Sequence, residues 1–411
     1  MQGRRSIRRR YATTFAAAFM FMLVALPARS QQADRTIEEI KAESLVRAER
    51  GAYPLGGLDV ADVREALATI TTRDPDEWAR AWSAVGDRYM AAAKADPAKA
   101  DANYLRAWRL YAFGQWPAPT SPGKQAAYEK AVAAYLQHAA AFDPPLEVVR
   151  IPFEGSAIVG YFRRPKNADH PLPVVIGISG LDSRKENVAE TYAALLPHGI
   201  AFFAIESPGT GQTPLKASPT AERIYAHVID YLASRPDIDR TRILVHGQSF
   251  GAYWAAKIAH TERARLAGVV AQSPAVHTYY QADYFRPSLY TREYLFDRLP
   301  AYLNVYGTKT IDELTTVLAT MSLKTEGLIG QPTAPLFIVG GVKDTQVPIA
   351  DLDLLIHSGT EPREAWINPI GGHMGRTADS WPDPVIFRKI ILPWEVRHLN
   401  ATTGVKTAGS P

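Results

Sequence analysis

The sequence predicts an α/β chain in which a mainly parallel sheet follows a helical N-terminal region, and three observations predict it. Helix-start signals recur between residues 59 and 142, the texture after Pro145 switches to short apolar runs, and helical stretches separate those runs. That alternation is the mark of βαβ units. With 411 residues, 46% of them apolar, the chain is long enough for one large core with a smaller unit attached.

The first thirty residues stand apart. Arg4, Arg5, Arg8, Arg9 and Arg10 precede an apolar run from Phe15 to Leu26, and Ala28-Arg29-Ser30 offers small residues where a signal peptidase reads. A cleaved secretory signal over residues 1–30 is expected, with a periplasmic or secreted product. The run is shorter than the ~20 apolar residues of a spanning helix, so no membrane partner is expected after cleavage. This segment holds six arginines and no acidic residue, and its removal takes the formal charge from +4 to −2. No basic tract with interleaved aromatics remains, so a nucleic-acid partner loses its main support and none is expected. The absence of cysteine excludes disulfides, a thiol nucleophile and thiolate metal sites.

Residues 31–145 are expected to form a helical cap region. Asp74-Pro75-Asp76-Glu77 reads as an N-cap, a proline at the first helical position and a capping-box glutamate. Trp78, Trp82, Val85 and Tyr89 then repeat at helical spacing. Asp96-Pro97 and Ser121-Pro122 open two more helices, with Tyr104, Trp108 and Tyr111 on one stripe and Tyr128, Val132, Tyr135 and Ala139 on the next. Helix packing accounts for such stripes more simply than a substrate cavity does. Asp143-Pro144-Pro145 ends the region.

Residues 146–400 carry the sheet, and 401–411 read as a flexible tail. Leu146–Pro152 and Ala157–Arg163 form an expected antiparallel pair around Glu154-Gly155-Ser156. Val174–Ile178, Ala201–Ile205, Ile243–Val245, Gly268–Ala271 and Leu336–Val339 are near-continuous apolar runs, as strands covered on both faces require. Helices are expected near Asn187–Leu196, Thr220–Ala233 and Phe250–His260. Residues 274–332 interrupt the rhythm with a tyrosine-rich stretch long enough to be a lid-like insertion.

The chemistry is carried by His246-Gly247-Gln248-Ser249-Phe250-Gly251, a Gly-x-Ser-x-Gly motif between an expected strand and an expected helix. A serine hydroxyl attacks a carbonyl when a tight turn projects it toward a base, and the two glycines let neighbouring backbone pass close to that turn. The context distinguishes this motif from a chance strand-to-helix turn. Asp344, just beyond the strand Leu336–Val339, is the candidate acid, and a helix-capping turn is the alternative reading of it. Asp351 and Asp353 read as solvated helix residues. His373, between Gly371-Gly372 and Gly375 after the strand Glu364–Ile367, is the candidate base. The order Ser, Asp, His is that of α/β-hydrolases.

In this reading His373 takes the Ser249 proton, Asp344 orients the imidazole, and water releases an acyl-enzyme. Oxyanion donors are expected at the backbone N–H of Phe250 and, from the loop after Val174–Ile178, of Leu181, with Gly180 as the alternative. Tyr279, Tyr280, Trp254 and Met374 are candidates for lining the substrate site, with packing the competing reading of each. No metal and no cofactor are called for.

Further stretches point to a family. Pro152-Phe153-Glu154-Gly155 before Gly160-Tyr161, Gly180-Leu181-Asp182-Ser183-Arg184-Lys185-Glu186, and Ser207-Pro208-Gly209-Thr210-Gly211, together with the triad motifs, resemble the FrsA-like α/β-hydrolases, among whose members are a bacterial nicotine-pathway hydrolase and fungal polyketide hydrolases. The resemblance implies an α/β-hydrolase core under a helical cap, an active site between them, no metal and, as often in the family, a homodimer. It covers ester hydrolysis and C–C bond hydrolysis beside a ketone. The leading expectation is an exported carboxylic-ester hydrolase acting on a small-molecule, partly aromatic substrate. A C–C hydrolase for β-diketone or acylphenol compounds is the enzymatic alternative, and a non-catalytic ligand-binding protein on the same fold is the alternative of another class.

Overall fold

The computed structural model describes residues 34–166, 168–359 and 363–401. The expected signal segment lies outside the described residues, as does the expected tail beyond Ala401.

Among the described residues five α-helices precede the sheet: α1 (Ile37–Glu49), α2 (Val60–Ala68), α3 (Pro75–Ala95), α4 (Ala100–Gly114) and α5 (Pro122–Ala139). An expectation of helix from Asp59 onward leaves out α1, although Thr36-Ile37-Glu38-Glu39 carries its signal. The Thr36 hydroxyl accepts the Glu39 N–H, and the Glu39 carboxylate accepts the Thr36 N–H. At α3 the Asp74 side chain caps Glu77 N–H as expected. Glu77 does not close the box, because Asp74 N–H is taken by the Thr72 hydroxyl and the Glu77 carboxylate turns to the Thr71 and Thr72 N–H groups instead.

The aromatic stripes pack helix on helix. Trp78 and Trp82 of α3 meet Phe113 of α4 edge-on, at 5.4 and 4.6 Å between ring centres. Gly86 admits the Tyr111 ring, since a Cβ there would stand 2.6 Å from it. One hydrophobic cluster runs from Trp78, Trp82 and Leu110 into Val174 and Val245 of the sheet.

The described residues form an eight-stranded sheet: β1 (Glu147–Phe153), β2 (Ser156–Arg163), β3 (Leu172–Ile178), β4 (Ala201–Ile205), β5 (Ile238–Gln248), β6 (Gly268–Gln272), β7 (Leu336–Gly341) and β8 (Arg363–Asn368), in the order β1-β2-β4-β3-β5-β6-β7-β8. The pairs β1/β2 and β2/β4 are antiparallel and the others parallel. The hairpin turns on Glu154 and Gly155, both at positive φ, as a two-residue connection favours. Strands β3, β4, β6 and β7 are buried along their whole length, which is why their sequences are apolar without alternation. This is the α/β-hydrolase fold.

Helices α6 (Lys185–Tyr192), α7 (Arg223–Ser234), α8 (Phe250–Thr261), α12 (Ile349–Ile356) and α14 (Leu392–Ala401) flank the sheet, with the short α13 (Asp383–Ile386) before the last. The insertion holds α9 (Ala282–Ser288), α10 (Arg298–Tyr306) and α11 (Ile311–Thr320), and Leu323 N–H returns to Val276 carbonyl near its start, at 2.9 Å. No helix among the described residues is long and apolar enough to cross a membrane. The chain leaves β3 toward β4 on one side and returns to β5 on the other. The C-terminal ends of β3 and β5 therefore border the crevice where open α/β sheets bind ligands.

Candidate active site

Ser249 occupies the single position between the end of β5 and the start of α8, at φ 53° and ψ −116°. A non-glycine residue is strained there, and the surroundings hold it. Its N–H donates to Gln272 carbonyl at 2.8 Å. Neither adjoining glycine has room for a side chain: a Cβ on Gly247 would come within 2.1 Å of Gly251 carbonyl oxygen, and one on Gly251 within 2.5 Å of that of Ile178. Close backbone approach, and not a positive φ, is what requires glycine at these two places.

His373 Nε2 lies 2.7 Å from Ser249 Oγ, and His373 Nδ1 lies 2.8 Å from Asp344 Oδ2. A carboxylate can only accept, so Nδ1 carries the proton and Nε2 is left to accept the serine hydroxyl. The imidazole and the carboxylate are both buried. Asp344 serves in two ways at once. Its Oδ1 accepts the N–H groups of Gln346 and Val347, each at 2.8 Å, while Oδ2 faces His373 and accepts the Ser273 hydroxyl at 3.0 Å. The capping-turn reading and the triad reading each describe one oxygen of the same carboxylate. Burial pushes the Asp344 pKa up, but the His373 ring and the backbone donors of Val347 and Gln346 outweigh it and hold the carboxyl below its ordinary value.

Two residues that sequence reasoning passed over organise the loops. Ser273, at φ 57°, follows β6, and its hydroxyl donates to Asp344 while accepting Met374 N–H at 2.8 Å. Glu293, between α9 and α10 in the insertion, accepts His373 N–H with Oε1 and the N–H and hydroxyl of Thr345 with Oε2. No local motif marks either one.

The loop from Ser179 to Arg184 joins β3 to α6 and passes the nucleophile: a Cβ on Gly180 would stand 3.4 Å from Ser249 Cβ. Gly180 N–H is engaged by the Ser183 hydroxyl at 2.9 Å. That removes the alternative donor and leaves Leu181 N–H as the candidate. Phe250 is the first residue of α8, where helix geometry leaves the N–H without an intrahelical acceptor.

The four substrate-lining candidates are all buried. Trp254 packs edge-on against Phe250 and Tyr253 inside α8. Tyr280 meets Tyr253 and Tyr279 edge-on. The Tyr279 hydroxyl bonds that of Tyr302 and accepts from the buried Arg298. Met374, at φ 62°, places its sulfur 3.4 Å from an Arg376 nitrogen. From the insertion, Tyr302 and Tyr306 of α10 also meet the ring of Phe250, the neighbour of Ser249, at 6.5 and 6.1 Å.

One expectation is corrected. Asp351 is not a solvated helix residue: it is fully buried and accepts the N–H groups of Val276, His277, Thr278 and Tyr279 at the start of the insertion. Asp353, with 71% of its side chain exposed, is the solvated one. Among the described residues no group of three His, Asp or Glu side chains is arranged to hold a metal ion.

A family model described as esterase FrsA-like matches residues 62–369. Penicillium oxalicum hydrolyase poxO is 30% identical over 234 residues, 52% of this chain and 56% of that protein. Esterase FrsA of Escherichia coli O139:H28 is 28% identical over 339 residues, 76% of this chain and 81% of its own length. The match thus spans about half the length of the fungal relative. Among solved structures, a 2,6-dihydroxy-pseudo-oxynicotine hydrolase superposes with a TM-score of 0.70 at 22% identity, covering 87% of this chain and 96% of that one. AbyA5 superposes with a TM-score of 0.70 at 20% identity, covering 89% and 95%.

Proposed function

The chain belongs to the FrsA-like esterase family, and from that premise we propose that it is a serine hydrolase cleaving carboxylic esters through an acyl-enzyme on Ser249. The observation that carries the reading is the continuous path from Ser249 Oγ through the His373 ring to Asp344, at 2.7 and 2.8 Å.

His373 Nε2 removes the hydroxyl proton as Ser249 Oγ attacks the ester carbonyl, and the same nitrogen then delivers that proton to the departing alcohol. Asp344 stays ionised, holds the imidazole in the required tautomer and stabilises its charged form. Leu181 and Phe250 N–H groups receive the developing oxyanion. Water, deprotonated by His373, then releases the acid and restores Ser249.

The tyrosines of α10 beside Phe250 support a partly aromatic small-molecule substrate. Purified protein should hydrolyse p-nitrophenyl and aryl esters, and Ser249→Ala should remove the activity. Equal hydrolysis by the variant contradicts the proposal. A second reading, C–C hydrolysis beside a ketone, draws on the same geometry, because a ketone presents the same electrophilic carbonyl, and on a fungal relative that is named hydrolyase and not esterase. It is favoured if β-diketones or acylphenols turn over faster than esters in the same assay. The basic and then apolar N-terminus supports export, which fractionation of cells expressing the full chain tests.

A further inference from the structure

We propose that Arg184 is a positioning residue through which the helical N-terminal region sets the geometry of the oxyanion-binding loop, so that the junction of α4 and α5 takes part in turnover. The inference rests on reading Ser249 as nucleophile and Leu181 N–H as an oxyanion donor.

The Arg184 side chain is buried, and its two terminal nitrogens serve two different segments. Nη1 donates to the carbonyls of Leu181 and Ser183, at 3.2 and 2.8 Å, within the loop itself. Nη2 donates to Gln115 Oε1 and Pro117 carbonyl, at 2.9 and 3.1 Å, in the turn between α4 and α5. Gln115 is itself buried at the C-terminus of α4. A planar guanidinium with diverging donors can bridge two segments in this manner, whereas an ammonium group is a point charge on a flexible stem.

These bonds fall where they bear on the oxyanion donor. The Leu181 N–H belongs to the peptide between Gly180 and Leu181. On one side of that peptide Gly180 N–H is held by Ser183 Oγ, and on the other Leu181 carbonyl is held by Arg184. Further upstream, Ser179 carbonyl accepts the Ser207 hydroxyl. The direction of the Leu181 N–H is thereby determined from both flanks.

The next residue repeats the pattern. Lys185 is fully buried, 3.1 Å from Glu186 and 3.3 Å from Glu206, and Tyr128 of α5 donates to Glu206 at 3.2 Å. A buried ion cluster is a poor source of net stability but demands one geometry, which suits a part that must be held in place. Two successive residues at the C-terminal end of the loop are therefore linked to the helical region through polar contacts, although apolar packing alone would suffice to attach it.

Two variants test the proposal, each purified and shown to be folded by circular dichroism. Arg184→Lys should lower kcat for a p-nitrophenyl ester by about 30- to 300-fold, a little less than the ~10²- to 10³-fold cost of losing one oxyanion donor outright, because the Leu181 N–H is misdirected and not removed. KM should stay within about threefold, since ground-state binding is not at issue. Gln115→Ala, outside the loop and missing one acceptor, should lower kcat by about fivefold. An aryl trifluoromethyl ketone, which forms a tetrahedral adduct with the serine, should lose affinity in the same proportion as kcat/KM, while the corresponding methyl ketone should not. A merely structural contact would change melting temperature without that parallel. Wild-type kcat and adduct affinity in both folded variants overturn the proposal. A wild-type protein that neither hydrolyses esters nor binds the trifluoromethyl ketone overturns the hydrolase reading itself, and this inference with it.

Discussion

The carboxylate of Glu293 accepts the backbone N–H of His373. Its second oxygen accepts the N–H and hydroxyl of Thr345, at 3.0 and 2.7 Å, so one side chain from the insertion ties the loop that carries the acid to the loop that carries the imidazole. Gly372 makes the approach feasible, because a Cβ there would stand 2.4 Å from Glu293 Oε1. The segment bearing Glu293 is held in turn from the N-terminal side. Arg47 of α1 donates to Glu293 carbonyl at 3.0 Å, and Arg35, just before α1, donates to the carbonyls of Arg292, Tyr294 and Leu295, each at 2.6 Å.

Glu293→Ala should therefore lower kcat by about tenfold, as expected for one charge-assisted tie of ~1.5 kcal/mol. Glu293→Gln retains one acceptor and should fall between the variant and the parent. Steady-state kinetics on one ester measure both, and an unchanged kcat in Glu293→Ala would show that the tie is not used in turnover.

Ser273→Ala removes a hydroxyl that serves Asp344 and Met374 together. The buried Met374 N–H is left without its acceptor, at a cost of about 1–3 kcal/mol. A lower melting temperature accompanied by lower kcat is expected, because the same hydroxyl supports both catalytic loops. Thermal denaturation and kinetics on one preparation separate the two effects.

Asp351→Ala should destabilise more than any other single change named here. Four backbone N–H groups at the start of the insertion lose one shared acceptor. Buried groups left unsatisfied cost about 1–3 kcal/mol each, although relaxation will recover part of it. Denaturant unfolding reads the loss, and a variant as stable as the parent would contradict the role assigned to Asp351.

The reach of sequence reading divides along this same line. Gly247-Gln248-Ser249-Phe250-Gly251 is legible because the constraints on a nucleophile turn are local: both glycines answer to backbone within a few residues or on the adjacent strand. Asp344 and His373 are legible because each follows a strand that its own composition reveals. The α3 and α5 starts are legible in the same way, from Asp74-Pro75 and Ser121-Pro122. Ser273, Glu293 and Asp351 are different. Their partners lie 71 and 101, 52 and 80, and 72 to 75 residues away, and what they bind is mostly backbone, which has no sequence signature. Glu77 makes a smaller version of the point, since a capping-box residue three places after its cap found competing donors just upstream.

A pH dependence follows from the buried tyrosines. Tyr192, Tyr225, Tyr253 and Tyr280 have pKa values pushed well above the ordinary phenol because burial disfavours the phenolate. The unfolded chain ionises near pH 10, so the native state binds more protons above that point. Stability is complete below about pH 10 and is lost as the pH rises toward the folded values. Absorbance at 295 nm should show the buried phenols ionising only in the step that abolishes the circular dichroism signal. Smooth titration of every tyrosine near pH 10 with the fold intact would contradict the burial.

The proposed mechanism stands or falls on acylation of Ser249. The most direct measurement is fluorophosphonate labelling of the folded protein, with the modified residue mapped by peptide mass spectrometry in the wild type, Ser249→Ala and His373→Ala. One adduct on Ser249 is expected, absent from Ser249→Ala and formed far more slowly in His373→Ala, whose serine has lost its base. An adduct on another serine, or a folded wild-type protein that never labels, would contradict it.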